Sequence, residues 1–560
     1  MGLTTLLTGL WAANLALFNW IEETGLSYLL GQYARYVCAY GGFSAIIFGS
    51  MVINDYLVAK KTSKKKDEVE IIAFPEGEKF IETPAAQTKR SKTQKGKAGI
   101  GKTVVAVLLS CLLLASTLVI AYSMSMYTAN VVLTPTFKAF IAYRGNTGSY
   151  TLSSPKNRIW AGSSWASERE MSSAGSPVRW VRSAYCPVQS RGCEVIVVTL
   201  SDDGYLDAYV WTGTSWDVTN NIASTGTTVN AYRCFDIAYE RASGRALLVY
   251  SRGTTSNEIG YKIWDGAAWS SEYLLDLPYT SAVVYWIALA SCPGARAGTA
   301  DDNELAMIYI AGDADGDVFG YVWTGSAWSS MGATAVWDNK LAIATEECIA
   351  VAYEQQGGRA MFIWGDDKQD QNNYRIWNGA TLSAVTALTL ANEDGLTNWV
   401  VLKANPNSNG LLLGVVDAAG DLNTAYWSGS TWTTHSEHDN SVDTHATRCF
   451  DFAWNPTGSS GLLVWGTATN SISYKIFTAP NTWSSASTAV AIGTHPWIQL
   501  RTNPSFISGD KYILGADLNS NFNVGTITWD GSTFAITEGA ITLDTTVSTY
   551  ECFNLIFSPF

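Results

Sequence analysis

All four histidines of the chain lie beyond residue 430, and His435, His438 and His445 fall within one short segment with Glu437 and Asp439 between them. Imidazole nitrogens completed by a carboxylate make a tetrahedral Zn²⁺ set, so this segment is a candidate metal site, with His495 as an alternative ligand. Asp313, Asp315 and Asp317 alternate along an acidic loop, a spacing that offers oxygen ligands to Ca²⁺. That loop lacks the twelfth-position glutamate of a helical Ca²⁺ loop, and Asp and Gly also serve simply to make tight turns. Gly96–Thr103 (GKAGIGKT) satisfies the phosphate-loop pattern G-x-x-x-x-G-K-[ST]. Such a loop cradles phosphate only between a buried strand and a helix. Here it follows a basic linker and precedes an apolar run, which reads as a basic flank of a membrane span. No Ser/His/Asp order or nucleophile elbow stands out, so any case for an enzyme rests on the histidines alone.

Aromatic pairs are the other chemistry on offer. W-x-G-x-x-W recurs at Trp160–Trp165, Trp211–Trp216, Trp264–Trp269, Trp323–Trp328 and Trp427–Trp432, with degenerate copies at Trp377–Leu382, Phe477–Trp483 and Trp529–Phe534. The first aromatics are 51, 53, 59, 54, 50, 50 and 52 residues apart. Indole rings can stack on sugars, but a pair needed in every repeat reads first as packing between neighbours.

The elements that carry these residues follow from the period. Each unit of about 50 residues holds four short strand-like runs punctuated by Gly- and Asp-rich turns. In the third unit they are Cys234–Tyr239, Ala246–Tyr250, Ile259–Trp264 and Ala268–Leu274. CFDIAY and GLLVWG, apolar on consecutive residues, read as innermost strands buried on both faces. Four antiparallel strands per unit, eight units in all, predict an all-β eight-bladed β-propeller over 134–560. Units alternate between an opening Cys (Cys234, Cys348, Cys449) and an opening Trp (Trp180, Trp286, Trp399, Trp497), so the deeper repeat is a two-blade unit present four times. The first unit lacks its opening strand, and a Cys-containing strand at Tyr550–Phe557 is predicted to close it. This resembles the ring closure seen across β-propeller families. The sialidase box and the WD dipeptide are absent, so the resemblance points to no single functional family. The alternating cysteines are expected to be buried thiols, whereas Cys186 and Cys193 bracket one hairpin and could cross-link in an oxidising exterior.

The region before the repeats has a different character. Leu3–Ile21, Tyr36–Val58 and Thr103–Tyr122 are apolar runs near the length needed to span hydrocarbon as helices. They predict two transmembrane helices within 1–58 and a third at 103–123. The linker 59–102 carries a balance of +6 and should stay cytoplasmic, which places the propeller outside. Anionic lipid is a partner for that linker. A basic segment before a single apolar helix resembles the leader of archaeal type IV pilin-like proteins, although the glutamate usual near the start of the pilin helix is missing.

Composition agrees with this division. The chain has a net charge of −13, with +4 on residues 1–122 and −17 on the rest, which excludes a basic nucleic-acid-binding surface on the repeats. The expectation is a membrane-anchored protein displaying a propeller outside a prokaryotic cell, for adhesion or capture of a glycan or protein ligand. The alternatives are a pilin-like or surface-layer subunit that self-assembles through its transmembrane helices, and a metal-dependent extracellular hydrolase built on the histidine segment; Zn²⁺ and Ca²⁺ are the candidate cofactors.

Overall fold

The computed structural model describes residues 139–558 apart from 146–150, 161–164, 254–256, 279–282, 295–300, 313–315, 334, 343, 391, 393, 470, 491–495, 505–511, 519–522 and 537–548. The three apolar runs, the basic linker, the phosphate-loop pattern, Asp313, Asp315 and His495 lie outside the described residues. Among the described residues no helix is long and apolar enough to cross a membrane.

The described strands form eight antiparallel sheets, each built on a path of four strands in chain order. The first is completed by the end of the chain: Phe553–Phe557 pairs with Ala139–Gly145, Leu555 opposite Ile141. Closure matters because an unpaired edge here would expose a strand whose facing residues are all buried. The innermost strands are Phe553–Phe557, Val178–Tyr185, Phe235–Tyr239, Val283–Ser291, Ile349–Tyr353, Thr397–Ala404, Phe450–Trp454 and Trp497–Thr502, for blades 1 to 8 in turn. Each touches the next around the full ring. Four equivalent hydrogen bonds repeat the two-blade period: the N–H groups of Val181, Ile287, Val400 and Ile498 donate to the carbonyls of Glu551, Arg233, Glu347 and Arg448.

Burial corrects one expectation. GLLVWG (Gly461–Gly466) is the second strand of blade 7, not its innermost. Second strands such as Val195–Ser201 and Leu411–Asp417 are buried at every residue because a neighbouring blade covers each face. Innermost strands line the ring's centre and can carry polar residues toward it. The fourth strand of blade 3 also starts later than predicted, at Tyr273, because the turn and the Trp264–Trp269 bridge consume the preceding residues.

Where their turn residues are described, from Trp211 onward, the W-x-G-x-x-W segments are hairpin turns between third and fourth strands. Their glycines take positive φ (Gly213 96°, Gly266 102°, Gly429 94°), a conformation in which a side chain is strained. The two aromatics of a segment meet, at 5.4 Å for Trp160–Trp165 and 5.6 Å for Trp323–Trp328. The leading indoles are buried and act between blades. Trp264 donates to Glu194 (3.1 Å), Trp323 to Glu240 (2.6 Å), Trp377 to Glu304 (3.3 Å) and Trp427 to Glu354 (2.8 Å), each glutamate belonging to the preceding blade. Glu240 and Glu354 are also held by both ends of Arg245 and Arg359, and Glu194 and Glu304 by the hydroxyls of Tyr239 and Tyr353. Phe477 has no N–H to give, and Gly410 stands where the glutamate would be. The aromatic repeat is therefore a lock between blades.

Candidate functional site: the central channel

Each blade runs from the centre outward, so all innermost strands begin on one face of the ring and end on the other. The four opening tryptophans therefore meet at one end of the channel. Trp180, Trp286, Trp399 and Trp497 form a closed cycle of edge-to-face contacts at 5.5, 5.8, 5.2 and 5.6 Å, with interplanar angles of 80–88°. All four are at most 2% exposed, so the cycle seals that end. Such contacts each contribute roughly 0.5–1.5 kcal/mol beyond area burial.

An ionic belt lies beneath the plug. The residues before the four repeat cysteines are Arg233, Glu347, Arg448 and Glu551, alternating in sign around the ring. Arg233 bonds Glu347, and Arg448 bonds Glu551. Glu551 also takes Arg182 (2.8 Å) and the Gln499 amide (2.8 Å). Asp451 accepts from Lys403 (3.0 Å), Arg501 (2.8 Å) and the Leu500 N–H (2.9 Å). Burial alone would raise these two carboxyls, but their cationic partners outweigh it and hold both at about 2.

Past the belt the channel widens into a cavity of about 350 Å³. One side is charged, with Arg182, Lys403, Asp451 and Arg501; the other is apolar, with Ala288, Ile349, Ala350, Val351 and Val401. A further concavity of about 650 Å³, bounded by Tyr185, Tyr239, Arg241, Ser291 and Gln355, lies toward the strand ends on the open face. The channel is thus a blind funnel.

The other candidates are placed elsewhere. His435, Glu437, His438 and Asp439 sit on the outer strand of blade 6, Trp432–Asp439. His438 turns inward: Nε2 lies 2.7 Å from the Thr424 hydroxyl, Nδ1 lies 3.3 Å from Lys475 Nζ, and the ring packs at 4.3 Å on Trp483. Burial, with Lys475 beside it, lowers its pKa to about 3, so it is neutral and fully partnered. His435 and Glu437 are exposed, while Asp439 accepts from Trp465 Nε1 at 2.7 Å. His445 is on the connector to blade 7, where its carbonyl accepts from Trp399 Nε1 (3.0 Å) and Asn398 (2.9 Å). The structure does not bring these side chains together, and among the described residues no three His, Cys, Asp or Glu side chains converge as a metal requires. Asp317, the one described residue of the acidic triplet, opens the third strand of blade 4. Cys186 and Cys193 are buried and no disulfide joins them, and the other cysteines of the described region are buried too. Burial pushes the Cys234 and Cys449 thiols up to about 12.

With this geometry in view, the chain is similar to several solved structures, lectins among them. BP39L lectin from Burkholderia pseudomallei shares 9% identity at a TM-score of 0.44, over 65% of this chain and 98% of that one. Aleuria aurantia lectin, described as six-bladed with a fucose recognition mode, shares 14% at 0.32, over 55% and 96%. AofleA from Arthrobotrys oligospora shares 13% at 0.33, over 56% and 87%. No protein-family model and no curated protein matches. At these scores the likeness transfers no ligand and no residue.

The belt and cavity were missed in the sequence, yet a signal was there. An alternation of Arg and Glu before the repeat cysteines, inside otherwise apolar strands, is costly unless the charges meet.

Proposed function

We propose that this protein displays its propeller outside a prokaryotic cell, anchored by the N-terminal apolar runs, and that the propeller binds a glycan in its central channel. The observation that carries this reading is the one-ended funnel, closed by four indoles, lined by fixed hydrogen-bonding groups and open to solvent at the other end. Pockets of a few hundred Å³ with an apolar wall and a few convergent polar groups suit a small ligand or the end of a glycan rather than a broad protein face. The neutral, partnered His438 is no poised general base, which favours binding over hydrolysis.

The test is a glycan array probed with the full chain in detergent, wild type beside Ala350→Phe, which fills the cavity from its apolar side. Binding in wild type that is lost in the filled variant is the expected result. Equal binding by both proteins would put the ligand outside the channel.

A further inference from the structure

Resting on the channel as the binding site, we infer that the group it receives is a carboxylate, held by Lys403 and Arg501, with an apolar flank of the ligand lying on Ala350 and Val401. Charge count is the first reason. Among the described residues, belt and cavity hold five cations, Arg182, Arg233, Lys403, Arg448 and Arg501, against four carboxylates, Asp236, Glu347, Asp451 and Glu551. The imbalance is local. Arg233 faces both Glu347 and Asp236 on one side. On the other, the direct ion pairs of Arg182, Lys403, Arg448 and Arg501 fall on Asp451 and Glu551, with Glu347 acting on Arg182 and Arg448 only at longer range. Net positive charge confined between low-dielectric walls draws a counter-charge.

Access is the second reason. The side chains of Asp451 and Glu551 are only 1% and 0% exposed, while those of Lys403 and Arg501, which line the cavity, are 30% and 28% exposed. Each spends a contact on a different oxygen of Asp451, and the donors left over on the ammonium and guanidinium can serve a second carboxylate. Divergence of the repeats is the third. The position four residues after the opening Trp is Ala184, Ala290, Lys403 and Arg501 in the four two-blade units. Two units place cations there, on either side of Asp451, where the other two have alanine.

The groups acting on Lys403 come from three neighbours: Asp451 and Arg448 from blade 7, Arg501 from blade 8, and only the apolar Ile349–Val351 stretch from blade 5. Desolvation and the two arginines outweigh Asp451 and lower the Lys403 ammonium to about 8. A bound carboxylate favours the protonated form, so affinity should fall as pH rises through 8 and binding near that pH should take up protons.

The experiment is calorimetric titration of the full chain in detergent with glucuronate, glucose and hexanoate, so that an acidic sugar, its neutral counterpart and an aliphatic acid are distinguished. Glucuronate or hexanoate binding at least about tenfold tighter than glucose, with that advantage lost in Lys403→Met and Arg501→Gln, is the expected result. Lys403→Arg should bind but lose the pH dependence. Binding of both acids no tighter than that of glucose, or no binding of either acid at millimolar concentration, overturns the inference. If glucose binds and Ala350→Phe abolishes it while Lys403→Met does not, the channel reading stands and the carboxylate fails. If Ala350→Phe leaves all binding intact, the channel reading itself has failed.

Discussion

Two layers of the same channel, one above the other, are built from the same four repeats and use them in opposite ways. In the plug, the repeats keep one residue: Trp180, Trp286, Trp399 and Trp497. Two residues along the same strands they hold Arg182, Ala288, Val401 and Gln499, and the matching positions of the alternate blades hold Asp236, Ala350, Asp451 and Asn554. Four indoles close a cycle only if all four are present, since each ring edge needs the next ring's face. The layer below has no such demand. Asp236 and Asp451 accept the Leu289 and Leu500 N–H groups, and Asn554 accepts from Ser183, but Ala350 offers no oxygen there. Identity across repeats marks architecture; divergence marks where the ring was free to become a site.

Breaking the ring should break both layers at once. Removing 549–560 deletes the strand that closes blade 1 together with Glu551, the acceptor for Arg182 and Arg448. Stranding two buried cations and a sheet edge should leave a protein that aggregates or melts without a cooperative transition. Calorimetry of the truncated chain checks this; a full-sized unfolding endotherm would mean the final strand is not part of the sheet.

Trp286→Ala attacks the plug alone. It removes two of the four edge-to-face contacts and opens a cavity, at about 3–5 kcal/mol. Denaturant unfolding should show that loss, and the same experiment on Trp180→Ala should give a similar value if the cycle is symmetric. A loss below about 1 kcal/mol would show that the indoles do not support one another.

The smallest effect sharpens the contrast. Val401→Thr, in the divergent layer facing the cavity, should cost about 1 kcal/mol or less, because a hydroxyl there can reach the lumen. Glycan affinity should change more than stability does. Stability loss as large as that of Trp286→Ala would make this layer architecture too.

Much of the fold was legible. The eight units, the four-strand blade and the closing strand all rest on local spacing and on alternation of apolar and turn residues, which a chain displays without folding. The Cys/Trp alternation pointed to the two-blade period as well. The site was not legible in the same way. His435, His438 and His445 are close in sequence, but a strand sends successive side chains to opposite faces, and the connector carries His445 toward the plug, where its carbonyl accepts from Trp399. The residues that do meet are remote: Arg182 and Glu551 are 369 positions apart.

The sequence by itself determined the repeat, and with it the number of blades, because periodic burial is a property of each segment and its immediate neighbours. It also determined which residues are interchangeable between units and which are not. Tertiary structure alone decided what the innermost strands do together. Only when eight strands converge on one axis do four separate indoles become a seal, do arginines and glutamates from opposite ends of the chain become partners, and do Lys403 and Arg501 become a pair on a single buried aspartate. Charges separated by hundreds of residues carry no mutual energy until closure brings them within a few ångströms, in surroundings where water no longer screens them.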